Sequence, residues 1–280
     1  MKNNNFIERS LVGAFSFLRD SVFSEEYATK RGFLQARDPR IKFLSILFLL
    51  LAVMFSRNIY FLTGMYAFCL MLAGLSSIHL GFFLKRTWVF IPLFSLFIAL
   101  PALFNIITAG EPLFSFNIFS FSLSITRQGI ASASLFFMRV LTSVSLSILL
   151  VLTTRHYMLL KVLRIFKVPQ VFVMTLGMCY RYIYLFVEII ENTYLAIKSR
   201  CGAKVHYKRG QYIVAWNIVY LWARSYQLNE EVYKAMLSRG YRGEPLVLHD
   251  FKAGLRDWLW LFMATIVFVW VLYFNYKLKI

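Results

Sequence analysis

Residues 129–152 read GIASASLFFMRVLTSVSLSILLVL, with Arg139 as the one charge in the run. An apolar helix of roughly 20 residues is enough to cross the ~30 Å hydrocarbon core of a bilayer. This run meets that length without help from its flanks. The whole chain agrees with it: of 280 residues, 59% are hydrophobic and only 16% charged, with mean hydropathy +0.62. A soluble domain carries about a quarter of its residues as charges. The sequence is that of a membrane protein.

Outward from this run, four more stretches qualify. They are Phe43 to Phe55, preceded by Ile41 and a Lys42 read as snorkelling; Ile59 to Ile78, after a turn at Ser56-Arg57-Asn58; Trp88 to Thr108; and Trp258 to Tyr276. Pro92 and Pro101 kink the third without ending it. The expected fold is an all-α membrane protein with five transmembrane helices and a cytoplasmic helical domain between the fourth and fifth. The corresponding segments are 1–42, 43–152, 153–257 and 258–280. The first is an N-terminal cytoplasmic or interfacial segment. Its mixed charges and lack of a long apolar core exclude a cleavable signal peptide.

Basic residues set the orientation. Residues 1–42 carry eight Lys and Arg, 79–87 two and 153–257 sixteen, whereas the opposite loops carry Arg57 and Arg127 alone. Lysine and arginine accumulate on the cytoplasmic side of short loops. The N-terminus and residues 79–87 and 153–257 are therefore expected in the cytoplasm and the C-terminus outside, with Lys277 and Lys279 a small breach. Of the net charge of +18, most is thus accounted for by the membrane, and nucleic acid is not an expected partner. Val171 to Ile190 is apolar enough for a sixth crossing, but crossing would carry Lys198, Arg200, Lys204, Lys208 and Arg209 outside and strand Arg181 and Glu188 near lipid. We read it as lying at the membrane surface, with a re-entrant or spanning hairpin as the alternative.

Four helices are expected in 153–257. His156 to Lys167 is basic and amphipathic, stopped by Pro169. Gln170 to Arg200 ends with Ile189, Thr193, Ala196 and Arg200 on one stripe. Tyr212 to Arg224 is short. Gln227 to Arg239 ends with Leu228, Val232, Ala235 and Arg239 on the same spacing. Gly202 and Gly240 are the expected C-caps. The two long ends repeat: Ala196-Ile197-Lys198-Ser199-Arg200 and Ala235-Met236-Leu237-Ser238-Arg239 share Ala-x-x-Ser-Arg. A last-turn arginine suits the helix dipole. Small neighbours leave its guanidinium free to offer a bidentate fork to a carboxylate in a partner's groove.

At these residues the chain resembles the T components (CbiQ-like transmembrane subunits) of energy-coupling-factor ABC transporters, which carry small-Arg-small signatures on two coupling helices. The matching triplets are Ser199-Arg200-Cys201 and Ser238-Arg239-Gly240, the first departing from Ala-Arg-Gly at Cys201. Leu34 to Lys42, Arg139-Val140-Leu141, Leu152-Thr153-Thr154, Val168-Pro169 and Tyr180-Arg181-Tyr182 resemble further landmarks in the family's order, from about residue 30 to the end. The resemblance implies a scaffold in a bacterial inner (cell) membrane. It would join two ABC ATPases, docked at Arg200 and Arg239, to a small substrate-binding membrane subunit. The acidic stretch Phe23 to Ala28 resembles cobalt or nickel systems more than vitamin ones.

Other residues were weighed for chemistry. Arg139 is either a structural anchor, bonded to carbonyls or hydroxyls, or a gating group, with Glu111 and Asp257 its nearest conceivable acidic partners. Thr142, Ser143, Ser145 and Ser147 read as a packing surface. Arg37, Asp38 and Arg40 are expected to brace the cytoplasmic domain. The scattered Cys69, Cys179 and Cys201 and the four histidines give no metal or disulfide spacing. No cofactor is expected. The chain has no Gly-x-x-x-x-Gly-Lys-Ser/Thr loop, so hydrolysis falls to partners. An ATPase-independent permease would need converging polar groups in the membrane. A membrane-embedded enzyme would need an acid or histidine cluster, and Glu188, Glu191, Glu230 and Glu231 read as solvated helix faces.

Overall fold

The computed structural model describes residues 27–30, 32–88, 91–103, 112–118, 121–201, 207–243 and 253–277. The N-terminal segment 1–26, Glu111 and Gly202 lie outside them. The described chain is helical: α1 (Pro39–Phe55), α2 (Ile59–Leu75), α3 (Leu80–Trp88), α4 (Ile91–Ala99) with a 3-10 turn at Leu100–Leu103, α5 (Arg127–Thr153), α6 (His156–Ile165), α7 (Gln170–Cys201), α8 (Tyr207–Ser238) and α9 (Leu255–Lys277). A hairpin, β1 (Pro112–Ile118) and β2 (Phe121–Thr126), precedes α5. The protein is a helical membrane protein, with three described helices long and apolar enough to cross a bilayer: Arg127–Thr153, Gln170–Ile197 and Leu255–Asn275.

Two compact units divide the chain, Ser24–Leu159 with Phe251–Ile280, and Leu160–Asp250. In the first, α1 packs most extensively on α9, and α5 packs against α1, α2 and α4. The buried positions of α1 are Ile41, Lys42, Ser45, Ile46, Leu49, Ala52 and Val53, the spacing of one helical face. They join Leu62, Met65, Cys69 and Leu72 of α2, Leu146, Leu149 and Leu152 of α5, and Trp260 and Ala264 of α9 in one core. Trp260 enters that core with its ring nitrogen satisfied, donating to Ser45 Oγ at 2.9 Å. Apolar burial does not drive helices together where the solvent is itself apolar. Close packing and internal polar bonds must do that work. Thr142 and Ser145 are fully buried in it, with hydroxyls turned to the carbonyls of Met138 and Leu141, while Ser147 is exposed. The expected packing role thus holds for part of that run.

Three expectations are corrected. Residues 79–87 are not a loop but mostly α3, whose last turn holds Lys85 and Arg86 where the dipole favours cations. The connection 109–128 contains the hairpin. Tyr212 to Arg224 and Gln227 to Arg239 are not separate helices: α8 runs unbroken through 32 residues, because Ser225 and Tyr226 between them are neither glycine nor proline and cannot break it.

Helix ends follow local chemistry. Asp38 caps α1 by accepting from the Arg40 amide at 2.9 Å, with Pro39 at the first helical position. α8 ends in a Schellman motif. The Gly240 amide bonds to Leu237 O at 2.9 Å and the Tyr241 amide to Met236 O at 3.0 Å, with Gly240 at φ +79°. Gly240 is thus the expected stop, placed where a side chain would be strained.

Candidate functional site

Both arginine-bearing ends lie in the Leu160–Asp250 unit. Arg200 is in the last turn of α7, and Arg239 is the residue on which α8 closes. Both side chains are exposed. Neither has a hydrogen-bond or ion-pair partner among the described residues. The repeated Ala-x-x-Ser-Arg has one physical meaning in both copies. Ser199 Oγ donates to Ala196 O at 2.9 Å, and Ser238 Oγ donates to Ala235 O at 3.0 Å. Each serine spends its hydroxyl on its own helix, so the neighbouring guanidinium keeps all its donors. The stripes match as well. Ile189 and Thr193, like Leu228 and Val232, are half-buried, whereas Ala196 and Arg200, like Ala235 and Arg239, are exposed. Each helix therefore packs by its middle and leaves its tip free.

The tips are far apart. Just past the α8 stop, the Tyr241 hydroxyl lies 3.0 Å from Met174 Sδ and 3.0 Å from Gly243 O. Met174 stands in the second turn of α7, and Arg200 follows 26 residues later on the same helix. At 1.5 Å rise per residue this separates the two ends by roughly 39 Å along the α7 axis. Where α7 and α8 meet, they enclose a cavity of about 390 Å³, lined among others by Met178, Tyr182 and Phe186 of α7 and Trp222, Leu228 and Val232 of α8. The acidic side chains Glu188, Glu191, Glu230 and Glu231 are all exposed. Among the described residues no three of His, Cys, Asp and Glu cluster closely enough to hold a metal ion.

Arg139 sits in the other unit. Its Nη2 donates to Ser56 O at 2.8 Å, at the C-terminal end of α1. Asn275 Nδ2 of α9 donates to the adjacent Phe55 O at 2.8 Å. At 17 residues α1 is about 25 Å long, shorter than the ~30 Å hydrocarbon core of a bilayer. Its last carbonyls end at the buried Ser56, and a buried acceptor left unpaired costs about 1–3 kcal/mol. Asp257, one acid considered for Arg139, is engaged elsewhere. It lies 3.4 Å from Arg37 Nη1 and accepts from the Gly254 amide at 3.0 Å, capping α9. Arg37 therefore fastens the first turn of α9, and Asp38 caps α1.

Reading the sequence missed Lys42. It does not snorkel: only 1% of it is exposed, and Nζ donates to Thr153 O at 3.0 Å and Thr154 Oγ1 at 3.2 Å. It caps the C-terminal end of α5. The landmarks Leu34 to Lys42 and Leu152-Thr153-Thr154 are thus two halves of one joint. Gln35 completes it at α2, donating to Ser76 O at 2.8 Å and Tyr27 O at 3.0 Å. A lysine at the opening of an apolar run was the available signal.

Residues 30–248 match the profile of the cobalt transport protein family CbiQ. The chain belongs to that family. CbiQ-family membership covers the α1 to α8 core and both arginine ends. An uncharacterized protein of Methanocaldococcus jannaschii is 32% identical over 95% of this chain and 90% of its own length. The energy-coupling factor transporter transmembrane protein EcfT of Streptococcus thermophilus is 29% identical over 80% of this chain and 86% of its own. A second uncharacterized protein of M. jannaschii is 31% identical over about half of each chain.

Proposed function

We propose that this CbiQ-family chain is the transmembrane coupling (T) subunit of an energy-coupling-factor ABC importer. Arg200 and Arg239, with Ser199, Cys201, Ser238 and Gly240 around them, dock into grooves of two partner ATPases. The chain transmits the approach of those ATPases to a small membrane subunit that captures the substrate, and hydrolysis is theirs alone. The observation that carries this reading is the pair of like helix ends, each with an exposed guanidinium that has no partner among the described residues, roughly 39 Å apart along α7. That separation gives each of two partner ATPases an end of its own. The name of the streptococcal relative and the family's description point the same way.

The arrangement in the membrane that suits this role has five crossings, with the N-terminus and residues 153–257 in the cytoplasm of the cell (inner) membrane. In that arrangement α7 lies in the membrane plane, although its length and composition would let it cross. The substrate is a cobalt or nickel ion, held by the capturing subunit. Two measurements test the proposal. Arg200→Glu and Arg239→Glu should each abolish co-purification of one ATPase and stop uptake of radioactive cobalt or nickel, with membrane insertion unchanged. Normal uptake and intact complexes in both variants would refute it, as would protease or thiol mapping that places the two tips on the periplasmic side.

A further inference from the structure

The hairpin Pro112–Ile118 and Phe121–Thr126 pairs residues of like kind across its ladder. Phe114 stands opposite Ile125, Phe116 opposite Leu123 and Ile118 opposite Phe121. Between them Ser115 stands opposite Ser124 and Asn117 opposite Ser122. Because successive strand residues alternate between faces, the paired stretch from Phe114 to Ile125 places six apolar positions on one face and Ser115, Asn117, Ser122 and Ser124 on the other, with Leu113 left unpaired at a register shift. No charged residue occurs from Pro112 to Thr126, and Glu111 and Arg127 flank the stretch at its two ends.

Among the described residues the hairpin packs on itself and on the start of α5, with no more than marginal contact to the other helices. A lone two-stranded hairpin in water is marginal at best, and its uncharged open edges invite aggregation. Its attachment identifies the missing layer. β2 ends at Thr126 and α5, a helix apolar and long enough to cross the membrane, begins at Arg127 with no residue between. Thr126 caps that start, accepting from the Gly129 amide at 3.1 Å. The hairpin is therefore held at the bilayer boundary. Arg127 is an exposed cation in the first turn of a helix, where the dipole disfavours positive charge. A layer of lipid phosphates offsets that penalty.

We infer that the 112–126 hairpin lies on the membrane surface at the Arg127 end of α5, its Phe/Leu/Ile face sunk among lipid chains and its Ser/Asn face toward water. The inference is independent of ATPase docking. Single cysteines at Phe114, Phe116 and Leu123, and at Ser115, Asn117 and Ser124, are to be nitroxide-labelled in a full-length chain lacking Cys69, Cys179 and Cys201. That chain is reconstituted alone in vesicles of phosphatidylethanolamine and phosphatidylglycerol. The first three should show several-fold higher ratios of oxygen to water-soluble nickel collision than the second three. A lipid-borne diazirine on the unaltered chain should label the same apolar positions, a readout that does not depend on the cysteine changes. Equal collision ratios at all six sites would overturn the inference. So would alternation that appears only after a partner subunit or a second copy of the chain is added.

Discussion

Arg139 of α5 holds the last turn of α1 through a 2.8 Å bond to Ser56 O, and α1 returns the contact at its other end, where Lys42 bonds to Thr153 O at the close of α5. The two helices run antiparallel and each supplies the cation that the other's C-terminus favours. Neither bond needs a carboxylate partner. Together they satisfy carbonyls at both ends of a helix pair whose apolar flanks meet lipid.

Arg139→Met should therefore destabilise the protein by about 1–3 kcal/mol, the cost of leaving a buried acceptor unpaired. Arg139→Lys should lose less. Thermal unfolding in detergent, followed by maleimide reaction of the buried Cys69 in a chain with Cys179 and Cys201 changed to serine, gives the measurement. A gating role would predict altered uptake with unchanged melting.

Lys42→Met should act alike at the opposite end, removing two bonds at once. Lys42 and Ser56 are 14 residues apart on α1, about 21 Å. The double variant Lys42→Met with Arg139→Met should thus show additive losses within about 0.5 kcal/mol. A large coupling energy would mean that the two caps do not act separately.

Arg37 and Asp257 should respond unequally. Asp257 serves both Arg37 and the Gly254 amide, whereas among the described residues Arg37 pairs with no acid but Asp257. Asp257→Ala should cost about 1 kcal/mol more than Arg37→Ala, because a helix cap goes with the ion pair. Asp257→Asn should recover most of the difference. Denaturant-dependent unfolding of the three variants checks the order.

Gly240→Ala should cost about 1 kcal/mol at a left-handed position, and Gly240→Asn should be tolerated better. With the stop disturbed, Arg239 no longer has a fixed direction. Partial loss of ATPase co-purification is the expected outcome, milder than for Arg239→Glu.

Where the fold was legible, the signals were local. Apolar length located Arg127–Thr153 and Leu255–Asn275. The crossing expected from Trp88 to Thr108, however, holds after Trp88 only the nine-residue α4 and a 3-10 turn among the described residues. Gln170–Ile197, read as lying at the surface, is long and apolar enough to cross. Pro169 and Gly240 marked true ends. The repeated Ala-x-x-Ser-Arg was readable because the serine hydroxyl reaches only its own turn. Lys42 and Arg37 were not readable in this way, since their partners lie 111 and 220 residues away and no short-range pattern announces them. The hairpin did have a period-two alternation of Phe, Leu or Ile with Ser. Mean apolarity, the signal of a crossing, is diluted by that alternation. The joint expected near Ser225 was inferred from two stripes, when nothing in the intervening residues could interrupt hydrogen bonding.

That uninterrupted α8 has a mechanical consequence. Thirty-two residues make a stiff lever about 48 Å long. A tilt of about 10° around its midpoint would swing each extremity through roughly 4 Å, given that length. A hinge at Ser225 would have absorbed such a stroke. Without one, a push delivered at Arg239 arrives undiminished at Tyr207.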